Sequence, residues 1–128
     1  MEDEAQLSLL VEAVQSINPA AIAPAEQAAL FGLFERFPDT DAFGVFFSVL
    51  HKLEASPAFE TELLSSVERS PVAFNLSMVA RIIRGGVTYY RETDMLKLLR
   101  SVASDSANPS ASKLATEELA SLQWSGGA

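Results

Sequence analysis

The chain has 128 residues, of which 48% are hydrophobic and 20% charged, with no cysteine and a formal net charge of −8. Length and composition describe one ordinary folded domain, not a disordered chain and not a membrane span. The missing cysteines exclude disulfides, thiolate metal sites and cysteine nucleophiles.

The charge is unevenly placed. Residues 1–68 carry twelve acids and two bases, Arg36 and Lys52, for a formal −10, whereas residues 69–128 carry a formal +2. An acidic half repels nucleic acid, phosphates and anionic lipid, and steers basic proteins toward itself. The start Met1-Glu2-Asp3-Glu4 lacks the basic-then-apolar order of a secretory signal, which leads to the expectation of a cytoplasmic protein. The longest strongly apolar run, residues 43–50, is far shorter than the ~20 residues that cross a bilayer.

Seven helical segments are expected in chain order. The first covers residues 3–17, with Leu7, Leu10, Val11, Val14 and Ile17 on one face, and Asn18-Pro19 ends it. The second starts at Pro24, with Glu26 in its first turn and Leu30, Phe31, Phe34 and Phe37 as its apolar face. The third covers about 41–55, capped by Asp39 or Thr40. It places Phe43, Phe46, Phe47, Leu50 and Leu53 on one central stripe. The fourth and fifth are expected to open at Ser56-Pro57 and Ser70-Pro71, each a cap followed by proline.

The fourth turns Phe59, Leu63, Leu64 and Val67 inward, and the fifth Leu76, Val79, Ile82 and Ile83, with Met78 beside them. Gly85-Gly86 stops the fifth. Residues 87–91 have strand propensity but no evident partner and are read as a loop. The sixth helix covers about 93–103 with Met95, Leu98, Leu99 and Val102 inward, and the seventh opens at Asn108-Pro109 with Leu114, Leu119 and Leu122 inward. Trp124 is expected just past its end, and residues 125–128 are expected to fray. The fold expected is all-α: one domain over residues 1–128, its helices in antiparallel hairpins, forming a compact bundle or a short HEAT-like alpha-solenoid.

Chemical motifs are scarce. Gly85-Gly86 follows a helix and so is a stop, not a phosphate cradle. No paired histidines suggest a metal, and no cofactor motif is present in the sequence. The single histidine, His51, lies three residues before Glu54 on one helix face. A general base is one reading of it, and a hydrogen-bonded structural histidine is the reading favoured, since no nucleophile accompanies it. Arg81 and Arg84 are expected to pair with acids such as Glu54 or Glu68 instead of binding phosphate. Tyr89, Tyr90 and Trp124 stand outside the core stripes, as binding aromatics or as lids over the core edge.

Three stretches carry a family resemblance. They are Val45-Phe46-Phe47-Ser48-Val49-Leu50-His51-Lys52-Leu53-Glu54, then Leu63-Leu64-Ser65-Ser66-Val67-Glu68-Arg69-Ser70-Pro71 after Phe59, then the run from Phe74 through Met78-Val79-Ala80-Arg81 to Gly85-Gly86. Their order, over roughly residues 40–104, resembles the small all-helical immunity proteins that accompany contact-dependent inhibition or secreted-effector polymorphic toxins of bacteria. In that pattern a Trp often stands at the position of Phe47 and an Asn at that of Gly85.

The resemblance implies a non-enzymatic function: binding a cognate toxin domain, expected to be a basic nuclease, and blocking its active site or its access to substrate. Nucleic acid and membrane are not expected partners. The acidic outer face of helices two to four, with Glu35, Asp39, Asp41, Glu62 and Glu68, together with Trp124, is the expected partner surface. A helical adaptor or effector chaperone is the alternative, and an enzyme using His51 and Glu54 a third class.

Overall fold

The computed structural model describes residue 9, residues 12–38 and residues 44–126, with side chains as far as residue 122. Residues 12–16 are helical, and Val14 is buried. Asn18 then accepts a bond from the Ala20 N–H, opening a 3-10 turn, Pro19–Ala21. Lys52 donates to the Ile17 carbonyl at 2.7 Å, which ties this entry segment to a later helix.

Six α-helices follow: α1 (Pro24–Arg36), α2 (Val45–Glu54), α3 (Glu60–Arg69), α4 (Ala73–Arg84), α5 (Met95–Ala103) and α6 (Pro109–Gly126). Each expected segment within the described residues is helical, and the fold is all-α. The expected caps on the third segment, Asp39 and Thr40, lie outside the described residues, as does Phe43. Gly44, at φ +86°, leads into α2.

Aromatic rings join the first helices. Phe34 of α1 stacks on Phe74 of α4, centroids 4.9 Å apart, and meets Phe46 of α2 edge-on at 5.3 Å. Around them Leu53, Leu63, Leu76, Met78, Met95 and Leu99 are fully buried, in one core that reaches from Val14 to Ala115. The helices do not pack simply in consecutive pairs: α1 lies mainly against α3, and α6 covers both α4 and α5.

Several expectations change. Phe37 and Phe47 fall on the helical stripes, yet they are 50% and 51% exposed. Phe37 lies one residue past the end of α1, out of helical geometry, and the five-position stripe that holds Phe47 is wider than the strip one neighbouring helix covers. In α6 the fully buried residues are Ala111 and Ala115, while Leu114, Leu119 and Leu122 are only half-buried. Small side chains there let α6 approach closely. The same helix runs on to Gly126, so the backbone of Trp124 lies inside it and not past its end.

Ser56 does not cap α3. Ala58 takes φ +51° and delays the helix to Glu60, so the Ser56 hydroxyl turns inward, donating to the Leu53 carbonyl and accepting from Gln27 Nε2. Nor does Ser70 cap α4. Asn75 accepts from the Val72 N–H at 2.8 Å and does that work from inside the helix.

Lastly, residues 87–91 are not a plain loop: β1 (Tyr89–Tyr90) pairs antiparallel with β2 (Thr93–Asp94). The turn between them uses Arg91 at φ +55°, where Asn or Gly would have signalled a hairpin in the sequence.

Candidate functional site

The α3–α4 corner and the α5–α6 corner face each other across a groove with two hollows. One, of about 420 Å³, is lined by Val67, Glu68, Pro71, Leu98, Val102 and Asp105, among others. The other, of about 280 Å³, is lined by Glu35, Pro38, Val72, Ala73, Ala111 and Leu114, among others. Pro71 and Asn108 line both, so the hollows share a wall.

Local sequence explains the corner. Pro71 cannot donate a backbone bond, and Ser70 leaves helical geometry with φ −159° and ψ 85°, so α3 stops at Arg69 and α4 begins at Ala73. A buried polar relay holds it. Asn75 donates to Ser66 Oγ and to the Ser70 carbonyl, both at 2.9 Å, and Ser66 donates to Glu35 at 2.8 Å. Arg69 closes the relay with two bonds to the same carboxylate. Opposite, Asn108 Oδ1 accepts from the Ala111 N–H, and Asp105 Oδ1 accepts from the Ala107 N–H.

The electrostatics follow from this geometry. The Arg69 guanidinium, with help from Ser66, holds the Glu35 carboxyl below its ordinary range despite burial. Arg69 is raised in turn, chiefly by its bonds to Glu35, with Glu62 adding a weaker attraction. Glu68 and Asp105 have no cation within 4.0 Å among the described residues.

Two of the acids expected at a partner surface line the hollows, and a third, Glu62, lines neither. Glu35 lines the smaller hollow, Glu68 the larger, and Glu62 lies within electrostatic reach of Arg69. Glu35 is an interior ion-pair partner as much as a surface acid, its side chain only 12% exposed. Glu62 is half-buried, where the helical pattern placed it outward with exposed Glu68. Asp39 and Asp41 lie outside the described residues, and so does the side chain of Trp124.

Sequence reasoning missed Asp105, Leu98, Val102 and Asn108 as groove residues. Leu98 and Val102 carried only a core signal, and Asp105 stands far along the chain from Glu68, in the half with the positive balance. Nothing short of the helix packing brings it beside α3.

Other tempting residues sit elsewhere. His51 is 66% exposed, and its Nδ1 lies 3.8 Å from Glu54, beyond hydrogen-bond length. Glu54 instead accepts two bonds from Arg81, at 2.8 and 3.1 Å, as expected for that arginine. Arg84 donates to Ser121 instead of to an acid. Tyr90 packs against the core and shares a 3.0 Å hydrogen bond with Thr61, while Tyr89 is 59% exposed. Among the described residues no group of His, Asp and Glu side chains is placed to hold a metal ion, and no helix is long and apolar enough to cross a membrane. The chain matches no known family model, no curated protein and no solved structure.

Proposed function

We propose that this chain is an immunity protein that binds a cognate toxin domain, expected to be a basic nuclease, and keeps it from its substrate. The reading rests on the resemblance over roughly residues 40–104 and on one structural observation. Of the described acids between residues 12 and 68, only Glu35 and Glu54 have an arginine partner within 4.0 Å. Glu12, Glu26, Glu60, Glu62 and Glu68 have none among the described residues. Five of the seven described acids there are thus without a basic partner among the described residues and are available to one on another protein. Such a surface accelerates encounter and selects against acidic partners more than it adds affinity.

The test is co-expression with the C-terminal domain of any large protein encoded immediately upstream. The expected result is a domain that kills cells alone, is tolerated beside this protein and co-purifies with it. The association rate should fall by about tenfold or more from low to high salt. A neighbour that is harmless, or one that kills regardless of this protein, removes the neutralisation reading. Capture of an unfolded or signal-bearing segment instead of a folded domain would favour the adaptor or chaperone reading.

A further inference from the structure

The larger hollow is lined by two acids and by the ends of two helices. The chain ends α3 at Arg69 and α5 at Ala103, and the last turns of both helices line it. Helix C-termini carry partial negative charge and favour cations nearby. Glu68 and Asp105 add two formal charges from different elements, without a cation within 4.0 Å among the described residues. Arg69 is the single basic residue among the described ones on this wall, and it is already held by two hydrogen bonds to Glu35. Val67, Pro71, Leu98 and Val102 supply apolar surface between the acids. A long aliphatic stem ending in a cation suits such a mixed lining.

The smaller hollow borders helix starts instead of helix ends. The first turns of α4 and α6 line it, at Val72–Ala73 and at Asn108–Ala111, and their N–H groups at Val72 and Ala111 are already bonded to Asn75 and Asn108. The partial positive charge of two helix starts, and the pairing of the Glu35 carboxylate with Arg69, make the smaller hollow the poorer place for a cation.

We propose that the 420 Å³ hollow takes one arginine or lysine side chain of the partner protein, its stem along Leu98, Val102 and Pro71 and its head between Glu68 and Asp105. This rests on the neutralisation reading for the partner's identity, and on the hollow's own chemistry for the residue it binds.

The experiment titrates the protein with acetyl-Gly-Arg-Gly-amide and with its citrulline counterpart, which has nearly the same shape and no charge. NMR follows the methyls of Leu98 and Val102 and the amides of Ser101 and Asn108. The arginine peptide should shift these signals about fivefold or more beyond the citrulline peptide at equal concentration, because a charge-assisted pair is roughly twice as strong as a neutral one. The double variant E68Q/D105N should abolish the difference. The amide oxygen it puts in place of the Asp105 carboxylate can still accept from the Ala107 N–H, a bond of 2.9 Å in the native chain. An unchanged circular dichroism spectrum verifies that the double variant folds.

Equal responses to the two peptides, or shifts centred on Glu12, Glu26 and Glu60, overturn the proposal. So does a wild-type response from the folded double variant. A toxic domain that binds wild type and E68Q/D105N with one affinity discards the hollow and leaves neutralisation standing. Charge-selective shifts at the hollow with no toxic neighbour keep the cation site and remove neutralisation.

Discussion

Arg69 donates from Nε and from its terminal nitrogen to the two carboxylate oxygens of Glu35, at 2.7 and 2.6 Å, across 34 positions of sequence. The pair links the end of α3 to the end of α1 on the rim of the groove. It is unequal, because the Arg69 side chain is 51% exposed and the Glu35 side chain 12%. Most of the cost of breaking it therefore falls on Glu35 and on the Ser66 hydroxyl that donates to it.

Glu35→Gln should destabilise the protein by about 1–2 kcal/mol at pH 7, because it replaces charge-assisted bonds with neutral ones. The pH dependence has a definite sign. The folded carboxyl titrates below its ordinary value, so its contribution is complete above the unfolded pKa, about 4.3. It is lost as the pH falls through the lower folded value. Urea titrations at pH 7 and pH 3 should show the gap between wild type and Glu35→Gln shrinking in acid. A gap of the same size at both pH values would mean that the charge of Glu35 adds no stability.

Asn75→Leu should cost about 2–4 kcal/mol, although leucine suits a helix interior. Asn75 is fully buried and serves the Val72 N–H, the Ser70 carbonyl and Ser66 at once. Leucine would strand two backbone groups at the corner away from water. A loss below about 0.5 kcal/mol by urea denaturation would show that water replaces the side chain there.

Phe34→Ala and Phe47→Ala separate the two sides of the aromatic cluster. Phe34 is fully buried among three rings, and its loss should cost about 3–5 kcal/mol. Phe47 touches only Phe74 among the aromatic pairs described and is 51% exposed, so its loss should cost about 1 kcal/mol or less. Similar midpoint shifts in thermal unfolding would contradict this division.

The paired glycines after α4 should respond in opposite directions. Gly86 sits at φ +103°, and Gly86→Ala should cost about 1–2 kcal/mol. Gly85 is right-handed at φ −77°, and a Cβ there would meet the Ile82 carbonyl at an ordinary 3.4 Å. Gly85→Ala should be neutral or stabilising by up to about 1 kcal/mol. Chemical denaturation of the two single variants checks both.

Glu118 carries a charge that burial disfavours. Its carboxyl is raised chiefly by desolvation, with Arg84 pulling the other way. For an acid with a raised folded pKa, stability increases as the pH falls through that value, opposite to Glu35. Glu118→Gln should therefore raise the urea midpoint at pH 7, and the advantage should vanish once wild type is protonated in acid.

Much of this molecule follows from local rules. Pro24 opens α1, Asn108-Pro109 opens α6 and Gly85-Gly86 closes α4, because proline and glycine restrict the backbone whatever surrounds them. Spacings of three and four placed Phe31, Phe34, Phe46, Leu63, Leu76 and Leu99 inside, since an apolar stripe on a helix must be buried somewhere. The uneven charge was equally visible in the sequence.

Only the tertiary structure decided which parts of those stripes a neighbour covers, leaving Phe47 outside and drawing Ala111 and Ala115 in. It also decided which acids are already paired. Glu35 and Glu68 look alike in sequence, yet Arg69 takes one and turns from the other. Asp105 joined Glu68 at one hollow for the same reason. Pairing and burial depend on residues tens of positions apart, and the path of the whole chain, not the local pattern, sets those distances.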